Sequence, residues 1–226
     1  MNVMFLGVPS SGKGTQAEFV RKKYKLAHLS IGELLRKKID DPNDPEGQSI
    51  REKINKGILV DNDLIMRIIE TFISNLSSDE GILFDGFPRS VEQAILLDKL
   101  FEKLNKKLDC VINMELDDRV VMERINGRRL CPNCGKSYHI KFNPSKIKDT
   151  CDDCGSKLVI REDDNEESVK GRLKTYYSQT HPLINYYKEQ GKLIGIDATQ
   201  DIESIAKNID DILGGIQWLL ERAMKK

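Results

Sequence analysis

Hydrophobic positions along the chain fall into two kinds of segment. Short runs that are apolar almost throughout occur at Asn2–Leu6, Ile82–Phe84, Cys110–Met114 and Leu193–Ile196. Longer stretches between them carry apolar residues at helical spacing: Lys13–Tyr24, Leu64–Leu76, Val91–Leu104, Asp118–Asn126, Glu167–Glu189 and Ile202–Leu213. A strand that is apolar on both faces has to be covered on both faces, and helices between such strands supply the cover. The pattern therefore predicts an α/β fold in which a parallel sheet lies between layers of helix. Ile209, Ile212, Leu213, Ile216 and Leu220 carry the last periodic stretch onward and predict a terminal helix that packs back on the core.

Two segments break this rhythm. Residues 30–60 are helical and polar in pattern, hold no convincing strand, and include the turn-rich Asp40-Asp41-Pro42-Asn43-Asp44-Pro45. Residues 127–164 hold four of the five cysteines. Neither has the apolar content of an independent domain. Both read as excursions from one core, which leaves 1–29, 61–126 and 165–226 as that core.

Length and composition narrow the class. The 226 residues suit a single core with insertions, and 39% hydrophobic with 32% charged residues suits a globular protein. Lys plus Arg and Asp plus Glu both number 36, so no global field draws nucleic acid or acidic lipid. No apolar run approaches the roughly 20 residues of a membrane span. The opening MNVMFLG has no basic region of the kind that starts a secretory leader. A cytoplasmic protein with no nucleic-acid or membrane partner is expected.

Three motifs carry chemistry. Gly7-Val8-Pro9-Ser10-Ser11-Gly12-Lys13-Gly14-Thr15 follows the first strand and opens the first helix. Successive main-chain amides in such a loop, with the positive end of a helix dipole, can wrap a phosphate chain. Lys13 would reach the outer phosphates and the Thr15 hydroxyl would approach Mg²⁺; the plain alternative is an ordinary glycine-rich turn. In Gly81–Arg89 an apolar strand ends in Asp85, a hard oxygen donor suited to Mg²⁺ or its waters, and Arg89 offers a planar fork to a phosphate. Last, Cys131-Pro132-Asn133-Cys134 and Cys151-Asp152-Asp153-Cys154 have the spacing of paired knuckles on a structural Zn²⁺, with redox use of one pair as the rival. Arg36, Arg89, Arg124, Arg128, Arg161 and Arg172 fall at or beside these segments. Such bidentate donors suit a phosphoryl group in transfer. His28, His139 and His181 carry no assignment.

With those residues stand LSIGELLR (29–36), KGILV (56–60), DGFPRSVEQ (85–93), RINGRR (124–129) and GRL (171–173). Together and in this order they make the chain resemble the adenylate kinases, in the form with a long zinc-bearing lid. The resemblance covers Asn2 to about Leu213. It implies a P-loop three-layer core with a five-stranded parallel sheet, a helical monophosphate-binding insertion at 30–60 and a small lid at 127–164. It also implies a monomer that transfers a phosphoryl group from MgATP to AMP.

Carried onto this sequence, the resemblance gives the ATP phosphates to Ser10, Ser11, Gly12, Lys13, Gly14 and Thr15, with Arg124 and Arg128 on the same side. Ser137, Tyr138 and Gln200 would flank the ATP base and sugar. Arg36, Arg89, Arg161 and Arg172 would hold the AMP phosphate and the group in flight. Ile31, Ile58, Leu59, Val60, Gly86, Phe87, Pro88 and Gln93 would line the AMP pocket, Gln93 reading the base. Cys131, Cys134, Cys151 and Cys154 would hold zinc; Asp85 and Thr15 would hold magnesium through water. The chain departs from the family pattern at Ser10, usually Gly, at Ile31, commonly Thr, and at Glu33, usually Asp. Two other readings of the motifs stay open: a kinase for another nucleotide pair (GTP with AMP, or a UMP/CMP kinase), and a zinc-ribbon binding module switched by nucleotide.

Overall fold

The computed structural model describes residues 1–77 and 79–224; Ser78 and the last two residues of the terminal segment lie outside the described residues. A five-stranded, wholly parallel sheet runs through the core in the order β2-β3-β1-β4-β7. Its strands are β1 (Val3–Gly7), β2 (Ala27–Ser30), β3 (Ile82–Asp85), β4 (Cys110–Glu115) and β7 (Leu193–Asp197). β1 is central, paired with β3 on one side (Val3 with Leu83) and β4 on the other (Val3 with Cys110). The chain moves to one side of β1 for β2 and β3, then crosses for β4. The carboxyl edge beside β1 is thus the switch point where open α/β sheets bind ligands.

Strand alternation explains the layers. Met4 and Leu6 of β1 enter a core with Ile69 of α4 (Asn62–Ser74), Leu97 of α5 (Val91–Lys103), and Leu183 and Tyr187 of α8 (Pro182–Glu189). Val3 and Phe5 point the other way. They meet Ala17 and Val20 of α1 (Lys13–Tyr24) and Ile205, Ile209 and Leu213 of α9 (Ile202–Met224). Side-chain caps open several helices: Ser90 accepts from Gln93 N (3.2 Å) at α5, and Asp201 accepts from Ser204 N (2.8 Å) at α9.

The sequence expectation of strands misses β2, which pairs in parallel with β3 from Ala27–Ile82 to Ser30–Asp85. It is a four-residue edge strand carrying His28 and Ser30, too short and too mixed to show a period. The stretch read as one helix from Glu167 to Glu189 is two. Helix α7 (Glu166–Thr175) runs into a π-helical turn, Tyr176–Thr180, before α8 begins at Pro182. Pro182 has no N–H to return to the preceding turn, and His181 N bonds Tyr176 O at 2.8 Å.

The excursion at 30–60 forms α2 (Ile31–Asp40) and α3 (Gly47–Asn55), whose Ile31, Leu35 and Ile50 join the main core. After α6 (Asp118–Gly127), the 127–164 segment contains the hairpin β5 (Arg128–Leu130) and β6 (Ser137–His139), and it has a small cluster of its own: Cys131, Tyr138, Cys151 and Leu158. No helix among the described residues is long and apolar enough to cross a membrane.

Helix α9 runs well past Leu213. Ile209 and Leu213 are buried and Ile216 is half-buried against the core, whereas Trp218 and Leu219 are 54% and 61% exposed. Among the described residues Ile216 is the last that packs against this core; Leu220, half-buried, is not part of it. Leu213→Ala is expected to cost about 2–4 kcal/mol and Leu219→Ala less than about 0.5 kcal/mol, read from urea unfolding followed by far-ultraviolet circular dichroism.

Candidate active site

The phosphate-type loop spans the gap from β1 to α1, at the carboxyl edge of the sheet. Lys13 Nζ lies inside it, donating to Gly7 O and Val8 O (both 2.8 Å) and to Ser11 Oγ (3.2 Å). Ser10 stands at φ 60°, in the left-handed region that favours glycine, and its buried hydroxyl has no partner among the described residues. Burial lowers the pKa of Lys13 to about 8, with Asp85 opposing the shift and Arg89 and Arg128 adding to it.

Asp85 ends β3 next to this loop, with Oδ2 3.6 Å from His28 Nε2 on β2. Burial pushes the Asp85 carboxyl up, but His28, Lys13 and Arg89 together outweigh it and hold it below the usual carboxylate range. The Asp85 carboxylate and Thr15, both lining one cleft, bring oxygen donors of the kind a hard divalent ion takes.

All of the expected nucleotide-side residues border one cleft of about 1250 Å³. Ile31, Ile58, Leu59 and Val60 line it, as do Gly86, Phe87, Pro88 and Arg89. The guanidiniums fall into two groups. Arg128 makes a two-toothed bridge to Asp164, its Nε 2.7 Å from Oδ2 and its Nη2 on Oδ1. Arg172 bonds Asp163 through both the carboxylate and the main-chain oxygen (2.6 Å for the latter) and reaches Asp164 at 3.3 Å. By contrast Arg36 and Arg161 have no carboxylate partner among the described residues, and Arg161 Nε is buried without a hydrogen bond. The Arg89 guanidinium donates to Gly86 O through Nε at 2.9 Å and has no carboxylate partner among the described residues. Burial, then the neighbouring guanidiniums, lowers Arg161 and Arg172 to about 9. Guanidiniums crowded until they repel one another, three of these five without a carboxylate partner among the described residues, make a receptor for an anion.

Three expected residues are placed differently from a free ligand contact. Gln93 is buried: its Oε1 accepts from Arg89 N (2.7 Å) and its Nε2 donates to Asn62 Oδ1 (2.9 Å). It braces the Arg89 turn while still bordering the cleft. Tyr138 turns into the cysteine cluster, its hydroxyl accepting from Asp152 N (2.8 Å) and lying 3.4 Å from Cys151 Sγ. Arg124 Nη2 bonds Ala198 O (2.7 Å), next to the loop that carries Gln200, and its guanidinium lies 5.8 Å from the Phe142 ring. Phe142, His28 and the Asp163–Asp164 pair were not foreseen. A lone lid aromatic gives no signal, and His28 lies on the unrecognised strand. The acidic pair two residues past Arg161 could have been read as its electrostatic counterweight.

The four knuckle cysteines converge, with every Sγ within 4.8 Å of the others. Cys131 Sγ is 3.3 Å from Cys154 Sγ, and Cys134 Sγ is 3.5 Å from Cys151 Sγ. Sulfurs about 2.3 Å from a tetrahedral zinc stand about 3.8 Å apart, so the donor set fits that ion. Both knuckles fold alike: Gly135 N bonds Cys131 O (3.0 Å) and Gly155 N bonds Cys151 O (2.9 Å). Both of these contacts run between the knuckles and all four sulfurs converge, which favours metal over a redox pair confined to one Cys-x2-Cys.

A phosphate loop at the switch point of a parallel sheet, facing converging arginines across a cleft, defines a P-loop phosphotransferase. Comparison with known proteins narrows this class. A family model for adenylate kinase matches residues 5–192. The adenylate kinase of Caldicellulosiruptor bescii is 41% identical over 214 residues, covering 95% of this chain and 99% of that protein. That of Clostridium kluyveri is 41% identical over 216 residues (96% and 99%), and that of a Thermoanaerobacter species 42% over 214 (95% and 98%). The chain belongs to the adenylate kinase family. Neither of the two other readings of the motifs is favoured by these likenesses.

Because Lys13 titrates at about 8 when folded and near 10.5 ordinarily, the folded state binds fewer protons than the unfolded chain between those values. Relative to Lys13→Met, the wild type is therefore expected to gain stability as pH rises from about 8 to 10.5. Urea unfolding of both proteins across that range checks the sign.

Proposed function

We propose that the protein catalyses reversible phosphoryl transfer from MgATP to AMP, giving two ADP. One observation carries the reading: Lys13 and the arginines border a single cleft of about 1250 Å³, larger than the roughly 300–1000 Å³ that serves one small ligand. That is room for a donor and an acceptor with cations between them. Ser10–Thr15 and Lys13 take the donor phosphates. Arg36 and Arg89 take the acceptor phosphate, and Arg128, Arg161 and Arg172 face the group in transfer. The bases lie at opposite ends, the donor's by Arg124, Phe142, Ser137 and Gln200, the acceptor's by Ile31, Ile58–Val60 and Gln93.

The attacking atom is already an anionic phosphate oxygen, so the protein needs no general base. Its task is alignment and stabilisation of charge spread over the equatorial oxygens. Arg128 and Arg172, held by Asp164 and Asp163, keep their forks oriented before substrate arrives. Asp85 and Thr15 would hold magnesium through its waters, and the ion would neutralise charge on the bridging oxygens. The 30–60 and 127–164 excursions wall off the cleft, and their closing would exclude the water that would otherwise hydrolyse ATP. In this reading the protein works as a monomer.

Coupled ADP production across AMP, GMP, CMP and UMP, with ATP and GTP as donors, tests the assignment. ATP with AMP is expected to be fastest, and Lys13→Met to lose at least about 10²-fold in kcat. A variant keeping most of its AMP-dependent ADP formation would overturn the role given to Lys13. A GTP donor or pyrimidine acceptor outpacing the adenine pair would overturn the base choice.

We also propose that Cys131, Cys134, Cys151 and Cys154 bind structural zinc. A segment whose core is little more than Tyr138, Leu158 and two cysteines has few other means of holding its shape. A strong chelator is expected to lower the melting temperature and speed amide exchange across 127–164, while β1, β3 and β4 keep their protection. Unchanged exchange and melting after the metal is stripped would remove the structural role.

A further inference from the structure

The acceptor wall Ile58–Val60 begins at Gly57, and Gly57 is seated on helix α7 from the far side of the chain. Two hydrogen bonds close α3 into this turn, Gly57 N to Ile54 O (3.0 Å) and Ile58 N to Lys53 O (2.9 Å), the paired closure of a helix that ends in a left-handed glycine. Gly57 has φ +68°. Any Cβ there would stand 2.6 Å from Arg172 N and 2.8 Å from Gly171 C. The approach is mutual, since a Cβ on Gly171 would stand 2.5 Å from Lys56 O. One side chain locks the contact: Thr175 Oγ1 donates to Gly57 O at 2.8 Å.

Gly171 and Thr175 are four apart on α7 and share one face. That helix also carries Arg172, clamped to Asp163 and Asp164 at the end of the lid segment. A glycine within a helix costs about 1 kcal/mol against alanine, so propensity alone would favour Ala at 171. The backbone of Lys56 forbids it. We propose that Gly171 and Thr175 are positioning residues that set the acceptor wall in register with Arg172, and so govern affinity for the nucleoside monophosphate without acting on the donor side. Neither residue touches the reacting atoms in this account. The inference rests on the acceptor reading given above.

The test measures initial rates with AMP varied at fixed ATP, and the reverse, for wild type, Thr175→Val, Thr175→Ser and Gly171→Ala, with melting temperatures alongside. Thr175→Val keeps the shape and loses the hydrogen bond; its KM for AMP is expected to rise about fivefold. Thr175→Ser keeps the hydroxyl and is expected to stay within about twofold of wild type, as is the KM for ATP in every variant. Gly171→Ala is expected to raise the KM for AMP further than Thr175→Val. An unchanged KM for AMP in Thr175→Val overturns the proposal, and so does a parallel rise for AMP and ATP with a fallen melting temperature. Wild-type protein that forms no ADP from AMP overturns the acceptor reading itself, a result visible before any variant is compared.

Discussion

Repulsion among buried cations is the constraint around which this molecule is arranged. Lys13, Arg36, Arg89, Arg128, Arg161 and Arg172 border one cleft, and carboxylates answer only part of their charge. Such a cluster costs folding free energy, because each cation loses water and faces like neighbours. The backbone of the sheet and the paired aspartates after Arg161 hold it together, while the positive end of the α1 dipole adds to the repulsion. In the proposed reading a bound polyphosphate would supply the counter-charge that the chain withholds, and the strain of the free site would become selectivity for multiply charged anions.

Cations contributed by separate elements have to be held in mutual register. Lys13 opens α1 after the loop from β1, Arg36 comes from α2, Arg89 from the turn after β3, Arg128 from β5, Arg161 from the 127–164 segment and Arg172 from α7. Arg89 illustrates the bracing. Thr180 Oγ1 donates to its carbonyl (2.7 Å) and its N–H donates to Gln93 Oε1 (2.7 Å). Thr180 lies in the π-helical turn, where the widened helix changes which side chains face the site. The same long helical stretch thus touches Gly57 through Thr175 and Arg89 through Thr180.

Much of this was legible in the chain. Runs such as Val3–Leu6 and Cys110–Met114 announce two-sided burial, and Gly7–Thr15 and the cysteine knuckles state their chemistry through spacing. The elements that escaped are those whose signal lies in tertiary structure. β2 is an edge strand whose identity comes from pairing with β3, and the π-turn depends on Pro182 together with the docking of Thr180. The inward turn of Tyr138 and the bracing role of Gln93 are hydrogen-bonding choices that residue type leaves open. Ile31 fits its site as a core residue, only 3% exposed; its side chain has no hydrogen bond to offer a base edge.

The chain holds one tryptophan, Trp218, and it sits far along α9, half out in solvent with the Arg222 guanidinium 4.5 Å from its ring. Its indole is already wet in the native protein and stands past the last residues that α9 packs against the core. Intrinsic emission excited at the red edge of the protein band will therefore report the end of one helix. It will shift little when the sheet melts or the cleft fills, so a dye or an indole placed in the lid would be the better optical probe of either event.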